Sequence, residues 1–402
     1  MKTKKIRIEN LTKIFGSRRK DALELLKQGA SKDEILEKTG CGVGVNNASF
    51  EVDEGEIVVV MGLSGSGKST LIRCVNRLIQ PTAGKVYIDD VDVTGLNDQD
   101  LRKIRLTKLA MVFQNFALFP HRTVLHNVEY GLEIQGVETE IRRERSMKAI
   151  EQVGLKGWED YRPENLSGGM QQRVGLARAL ALDPDILLMD EAFSALDPLI
   201  RSDMQDELIS LQEDMHKTIL FVSHDLDEAL KIGDRIVLMK DGAIVQMGTA
   251  EEILTNPADD YVARFVENVD ITKVLTAESV MVKAKAVAYL DSHGPKTVLR
   301  TMQKERLSQL FVLNGRHEVV GLVTADDAAE AIERGETKLD AFMKEEFPSV
   351  LPEAPATELI QLMAETPYPL PVVNNEGRLK GVIIRGALLA ALAERGKNNA
   401  NS

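Results

Sequence analysis

The nine residues GLSGSGKST, Gly62 to Thr70, constrain this chain more than any other stretch. They follow IVVVM, an apolar run suited to a parallel strand covered on both faces, and they lead into KSTLIRCVNRLI, whose apolar spacing is helical. A glycine-rich loop in that setting, ending in Gly-Lys-Ser/Thr, is built to hold phosphate. The backbone of Gly62, Ser64, Gly65, Ser66 and Gly67 can wrap phosphate oxygens. Lys68 reaches the outer phosphates, and the hydroxyls of Ser69 and Thr70 follow, with Ser69 directed to Mg²⁺. A glycine-rich turn with an incidental lysine is the plainer alternative, but the flanking strand and helix count against it.

Helical and strand patterns alternate onward, through LAMVFQ, SMKAIEQVGL, DILLMDEA, KTILFVSH and DRIVLMKDGAIVQMG, which predicts an α/β fold with strands at its centre. Residues 17–40 depart from this order. They are charged and helix-forming, and Ser31 and Glu34 are spaced as a capping box, so a helical insertion is expected there. In DILLMDEAFSALD, residues 186–189 form a buried strand with Asp190 at its end, where it can hold Mg²⁺ through water. Glu191 comes next and points elsewhere, as strand alternation requires. A carboxylate there suits polarising an attacking water. Acidic pairs after strands are commonly solvated strand ends; beside a phosphate loop the catalytic reading is preferred.

A second anion site is written in NLSGGMQQRVGLARAL, where Ser167, Gly168 and Gly169 open a helix with free backbone N–H groups. No lysine follows these glycines.

The whole chain has 402 residues, room for two or three domains. Its net charge of −12 and the absence of a clustered basic face argue against nucleic acid as a partner. Cys41 and Cys74 are too few for a disulfide framework or zinc site. No apolar run approaches the ~20 residues that span a bilayer, and MKTKKIRIEN is unlike a signal peptide. The chain is therefore expected in the cytosol, reaching a membrane only by docking. Beyond residue 270, FVLNGRHEVVGLV from Phe311 and PVVNNEGRLKGVI from Pro371 repeat at a spacing of 60 residues, aligning Gly321 with Gly381 and Asn314 with Asn374. Each is flanked by helical segments, so two copies of one unit are expected to bury their apolar faces together.

Over about residues 4–265 these motifs resemble the ATP-binding-cassette (ABC) ATPases. LSGGM is similar to that family's signature sequence, with Met170 in place of glutamine. The resemblance implies a RecA-like core plus a helical subdomain, ATP and Mg²⁺ as ligands, and hydrolysis. It places Gln114 as the glutamine that senses Mg²⁺ and γ-phosphate, Asp197 in the D-loop, His224 as the switch histidine, and Phe15 under adenine. It also implies a head-to-tail pair with a second copy, Ser167, Gly168 and Gly169 of one closing over ATP held by Lys68 of the other. FQNFALFPHRTVLHNVEYGL is close to the import-type stretch that receives a permease. With the insertion and the C-terminal repeats, the chain resembles ATPase subunits of glycine betaine/proline betaine importers. That implies a separate transmembrane permease, a substrate-binding domain or protein, and a place at the cytoplasmic face of the membrane.

The repeats resemble tandem CBS domains. The expected division is an ATPase domain over 1–268, repeats over 275–335 and 340–396, and a disordered tail over 397–402. The family's ribose-binding pattern is met by Gly321, Thr324 and Asp327, whereas Ile384, Gly386 and Ala387 interrupt it in the second repeat. Three readings stay open for this module: a site for cyclic di-AMP or another adenine nucleotide, a basic face (Lys296, Arg300, Lys304, Arg306, Arg378, Lys380, Arg385) for anionic lipid headgroups, or a structural dimerisation unit.

Overall fold

The computed structural model describes residues 3–393 apart from 115, 268, 270, 271 and 273. The expected tail over 397–402, and 394–396 of the second repeat, lie outside the described residues. The chain separates into two units, Met1–Val269 and Asp270–Ser402.

The first unit is built on a six-stranded sheet in the order Ala243–Gly248, Arg235–Lys240, Ile57–Met61, Thr218–Val222, Ile186–Asp190, Leu109–Phe113. Neighbours run parallel except for the hairpin formed by the first two. Ile57–Met61, Ile186–Asp190 and Thr218–Val222 are buried at every position, which explains their unbroken apolar runs. A second sheet, antiparallel and four-stranded, has the order Gly42–Asp53, Lys4–Phe15, Ala83–Ile88, Val91–Asp92. Local alternation marks these segments as strands, but it does not show that they form a sheet of their own. Ile8, Val45, Phe50 and Val86 from this sheet share one core with Val58, Val60, Leu188 and Leu220, and with Ile72 and Val75 of the helix Lys68–Val75. The helices Val124–Gln135, Thr139–Gln152 and Gly168–Leu180 pack together as a helical subdomain.

The insertion folds as two helices, Arg19–Lys27 and Lys32–Thr39. Ser31 Oγ accepts from the Glu34 amide at 3.2 Å, and the Glu34 carboxylate accepts from the Ser31 amide at 3.0 Å. The second helix ends at Gly40 in the left-handed conformation (φ 68°). Ile14, Ala22, Ile35, Cys41 and Val43 form a small core under the hairpin.

The second unit contains a three-stranded sheet (Ala288–Tyr289, Gln309–Leu313, Val319–Thr324) and a two-stranded one (Leu370–Val373, Leu379–Ile383). Helices Pro295–Glu305 and Ala325–Glu333 flank the first, and Ala356–Glu365 and Arg385–Ala393 the second. The repeats exchange their leading segments. A Cβ added at Gly381 would lie 2.8 Å from Met281 Sδ, and one at Gly321 would lie 2.7 Å from Met343 Sδ. Val282 bridges to Val382, and Lys344 to Leu322. Leu275, Ala277 and Val280 thus share a core with Leu370 and Ile383, while Leu339 shares one with Val298 and Leu310.

Ile35 is fully buried, and truncation of such a side chain costs about 2–5 kcal/mol. Ile35→Ala is expected to loosen the insertion locally, read as faster amide hydrogen exchange across 17–40. Unchanged exchange there would mean that the hairpin does not depend on its small core.

Candidate nucleotide site

In a parallel sheet the C-terminal ends of the strands share one edge, and ligands bind there. Ile57–Met61 sits in the middle of the six strands and delivers the loop Gly62–Gly67 to that edge. Gly62 has φ 144° and Gly67 φ 103°, conformations that side chains rarely adopt. Both also lie against backbone. A Cβ at Gly62 would overlap the Met239 carbonyl oxygen, and one at Gly67 the Gly44 carbonyl oxygen. The helix Lys68–Val75 then starts directly at the lysine.

A cavity of about 590 Å³ opens over the loop, lined by Gly44, Gly62, Leu63, Ser64, Gly65, Gly67, Lys68, Ser69, Thr70, Glu191 and His224. Lys68 is 5% exposed, and its Nζ donates to the carbonyls of Gly62 (2.8 Å) and Leu63 (3.2 Å). Burial holds its ammonium below the ordinary value, while the Glu191 and Asp190 carboxylates pull the other way. A lysine tied to loop carbonyls alone is a cation poised for an anion.

The strand Ile186–Asp190 ends in a buried carboxylate. Asp190 Oδ2 accepts from Arg73 Nε at 3.1 Å and pairs with its guanidinium at 3.0 Å. Asp190 Oδ1 is buried without a partner, as is the Ser66 hydroxyl. An unpaired carboxylate oxygen near Lys68, with the Ser69 hydroxyl on the cavity wall, is the hard-oxygen donor set that suits Mg²⁺. Glu191 adopts φ 49°, a left-handed backbone for a non-glycine residue, fixed by its amide bonding the Val222 carbonyl at 3.0 Å. Two groups meet at its side chain. Gln114 Nε2 donates to Glu191 Oε2 at 3.2 Å and to Ser194 Oγ at 3.1 Å, and His224 Nδ1 lies 3.4 Å from the same Oε2.

Phe15 is 42% exposed and flanks Gly44, whose added Cβ would lie 2.8 Å from the Phe15 ring. Lys13 Nζ stands 4.9 Å from that ring's centroid. Ser167, Gly168, Gly169 and Asp197 are absent from the cavity wall. Ser167 caps the helix Gly168–Leu180 by accepting from the Met170 amide at 3.3 Å. Asp197 caps Pro198–Met215 through the Ile200 amide at 3.1 Å. A Cβ at Gly169 would lie 2.5 Å from Ile200 Cγ2, so the two caps pack against each other.

Several contributors escaped the reading of the sequence. Gly44 lies within a strand and carries no local mark. Arg73 falls one helical turn after Ser69, a spacing that could have singled it out. Arg201 joins the loop before Asp197 to the histidine turn, donating to the Leu196 carbonyl at 3.1 Å and to Asp225 at 3.2 Å. Gln205 Nε2 donates to the buried Glu228 at 3.1 Å, and the Ser223 hydroxyl donates to the same carboxylate.

Gly67→Ala forces a Cβ into the Gly44 carbonyl and a strained φ, a cost of ~1–3 kcal/mol that loop displacement would relieve. Titration with a fluorescent ATP analogue is expected to show about tenfold weaker binding. Parental affinity would show that the loop's backbone does not set the site.

The family model for ABC transporters matches residues 45–194, and that for the CBS domain matches twice, over 277–334 and 339–394. The glycine betaine transport ATP-binding protein OpuAA of Bacillus subtilis is 53% identical over 97% of this chain and 92% of its own. The glycine betaine/carnitine transport ATP-binding protein GbuA of Listeria monocytogenes is 51% identical over 97% of this chain and 98% of its own. ProV of Escherichia coli, of a glycine betaine/proline betaine transport system, is 48% identical over 98% of this chain and 99% of its own. Among solved structures, the dimeric ATP-binding cassette MJ0796 in a post-hydrolysis state with ADP and Pi aligns with a TM-score of 0.52 and 34% identity, covering 61% of this chain and 98% of that one. Phosphate loop, paired carboxylates, histidine turn and tandem repeats thus lie on a chain that belongs to the ATP-binding proteins of ABC transporters and carries two CBS domains.

Proposed function

We propose that this chain hydrolyses ATP to power uptake of glycine betaine, or a related quaternary ammonium osmoprotectant, through a separate membrane permease. The observation that carries the catalytic part is the meeting of Gln114, Glu191 and His224 at one carboxylate oxygen beside the Lys68 loop. The cargo rests on relatives named for glycine betaine that align with this chain nearly end to end.

The backbone from Gly62 to Gly67 and the Lys68 ammonium bind the outer phosphates, with Ser64, Ser66 and Thr70 completing the cradle and Phe15 beneath the adenine. Ser69, Gln114 and Asp190 would hold Mg²⁺, which would offset phosphate charge. Glu191 accepts the proton of the attacking water as its oxygen bonds the γ-phosphorus and the bond to the β-phosphate oxygen breaks, releasing ADP, while His224 and Gln114 hold the carboxylate in place. Arg73 fixes Asp190 Oδ2 and leaves Oδ1 free for the ion. Because Ser167, Gly168, Gly169 and Asp197 stand off the cavity of their own chain, they act on ATP bound by a second copy, across a two-fold interface.

The permease docks at a cleft of about 260 Å³ between sheet and helical subdomain, lined by Leu78, Arg105, Met111, Phe113, Tyr130 and Arg178. Phe113 precedes Gln114, so pressure in the cleft reaches Glu191 through one peptide. Among the described residues no helix is long and apolar enough to cross a membrane. Docking therefore places the chain at the membrane's cytoplasmic face, with a substrate-binding domain or protein serving the permease outside.

The CBS module regulates this cycle. Thr324 caps the helix Ala325–Glu333, donating its hydroxyl to Asp327 at 2.6 Å, with Lys344 Nζ 3.5 Å from that carboxylate. These groups offer a ribose contact and a cation for cyclic di-AMP or another adenine nucleotide. Lys296, Arg300 and Lys304 recur every fourth residue on Pro295–Glu305, exposed on one face suited to anionic headgroups. Arg385 is committed to the carbonyls of Met363 and Thr366, and Arg378 to Glu376, which leaves them less to offer a lipid.

Glu191→Gln is expected to keep ATP binding while hydrolysis falls by at least about 100-fold; parental turnover would remove Glu191 as the proton acceptor. Uptake of radiolabelled glycine betaine should require both this chain and its permease, and uptake of other solutes alone would reassign the cargo. Calorimetry of the full chain with cyclic di-AMP, and salt activation of reconstituted transport in neutral against anionic vesicles, test the regulatory part. No heat, or activation indifferent to lipid charge, counts against the respective ligand.

A further inference from the structure

The phosphate loop rests on a turn that none of the motifs includes. The hairpin of Arg235–Lys240 and Ala243–Gly248 reverses at Asp241 (φ 49°) and Gly242 (φ 83°). The Gly242 amide donates to the Ser66 carbonyl at 2.9 Å, and the Gly242 carbonyl accepts from the Asn46 amide at 2.7 Å. Gly62 meets the Met239 carbonyl, and a Cβ on Gly67 would come 3.4 Å from Gly242 Cα. Both ends of the loop therefore lie on residues 239–242 with no side chain between. Any tilt of the turn moves the phosphate cradle with it.

Something outside the core holds that turn. Lys240 Nζ stands 4.6 Å from the ring centroid of Tyr261, in the helix Asp260–Phe265. The helix is fixed by the Asp259 cap to the Val262 amide (2.9 Å) and by fully buried Val262 and Val266. The Tyr261 hydroxyl is buried without a hydrogen-bond partner. Burial pushes the phenol above its ordinary value, with the Leu63 amide of the phosphate loop beside it acting in the opposite sense.

We infer that Tyr261 and Lys240 are positioning residues for the phosphate loop: the ring fixes the lysine, the lysine the turn, and the turn the backbone of Ser66 and Gly67. This rests on reading the loop as the ATP site. It also puts control of nucleotide affinity on the last described helix before the second unit, which begins at Asp270.

The test is steady-state hydrolysis by the full chain over a range of ATP concentrations. Tyr261→Ala is expected to raise KM for ATP about tenfold with kcat changed by no more than about twofold, because a displaced loop weakens binding before and during reaction alike. Tyr261→Phe keeps the ring over Lys240 and should restore the parental KM. Lys240→Met keeps the stem and removes the cation, and about a threefold rise is expected; it also serves where Tyr261→Ala does not fold. Parental KM in both Tyr261→Ala and Lys240→Met overturns the inference, as does a Tyr261→Phe variant as impaired as the alanine one. Lys68→Ala, run in parallel, separates the two readings. Undiminished ATP binding there removes the loop as the nucleotide site, whereas lost binding alongside parental Tyr261 and Lys240 variants removes only the positioning role.

Discussion

Main chain packed on main chain is the constraint from which the nucleotide site follows. Where Gly62 meets the Met239 carbonyl and Gly67 the Gly44 carbonyl, the ends of three strands converge without side chains to hold them apart. The sheet order does the rest. Ile57–Met61 pairs with Thr218–Val222, which pairs with Ile186–Asp190, all parallel. Lys68, His224 and the Asp190–Glu191 pair therefore emerge at one edge although they are far apart in the chain. Three strands buried at every position supply the rigidity that such placement needs.

Glu191 illustrates how that rigidity is used. A left-handed backbone on a glutamate is costly alone, and it persists where surrounding structure over-determines it. Here the Val222 carbonyl takes its amide, Ser194 Oγ donates to its carbonyl at 2.9 Å, and Gln114 and His224 converge on its carboxylate. Behind this arrangement, Arg201 ties the Leu196 carbonyl to Asp225, next to His224. The loop carrying Asp197 and the histidine turn are thus hydrogen-bonded through a single guanidinium.

Much of this was legible in the sequence, for reasons that can be named. The phosphate loop, Asp190, Glu191 and His224 each sit directly after an apolar strand, and local periodicity finds strand ends. Ser31 with Glu34 is a capping box whose chemistry spans three residues. Features that join distant segments were not legible. The antiparallel sheet, the Arg73–Asp190 pair, the Arg201–Asp225 pair and the part played by Gly44 depend on register and packing between elements far apart in the chain. Gln114 could be assigned from family resemblance, but its bond to Glu191 could not. Thr324 and Asp327 matched a binding pattern in the sequence, whereas the structure has them bonding one another as a helix cap.

The exchange of Met281 and Met343 between the repeats bears on how the second unit is made. The segment around Met281 packs on Gly381, about a hundred residues further along, and Gly321 awaits Met343. The leading segment of the first repeat must wait about a hundred residues for Gly381, whereas Gly321 meets Met343 after only about twenty. Neither half reaches its final packing alone, so the pair matures as one object.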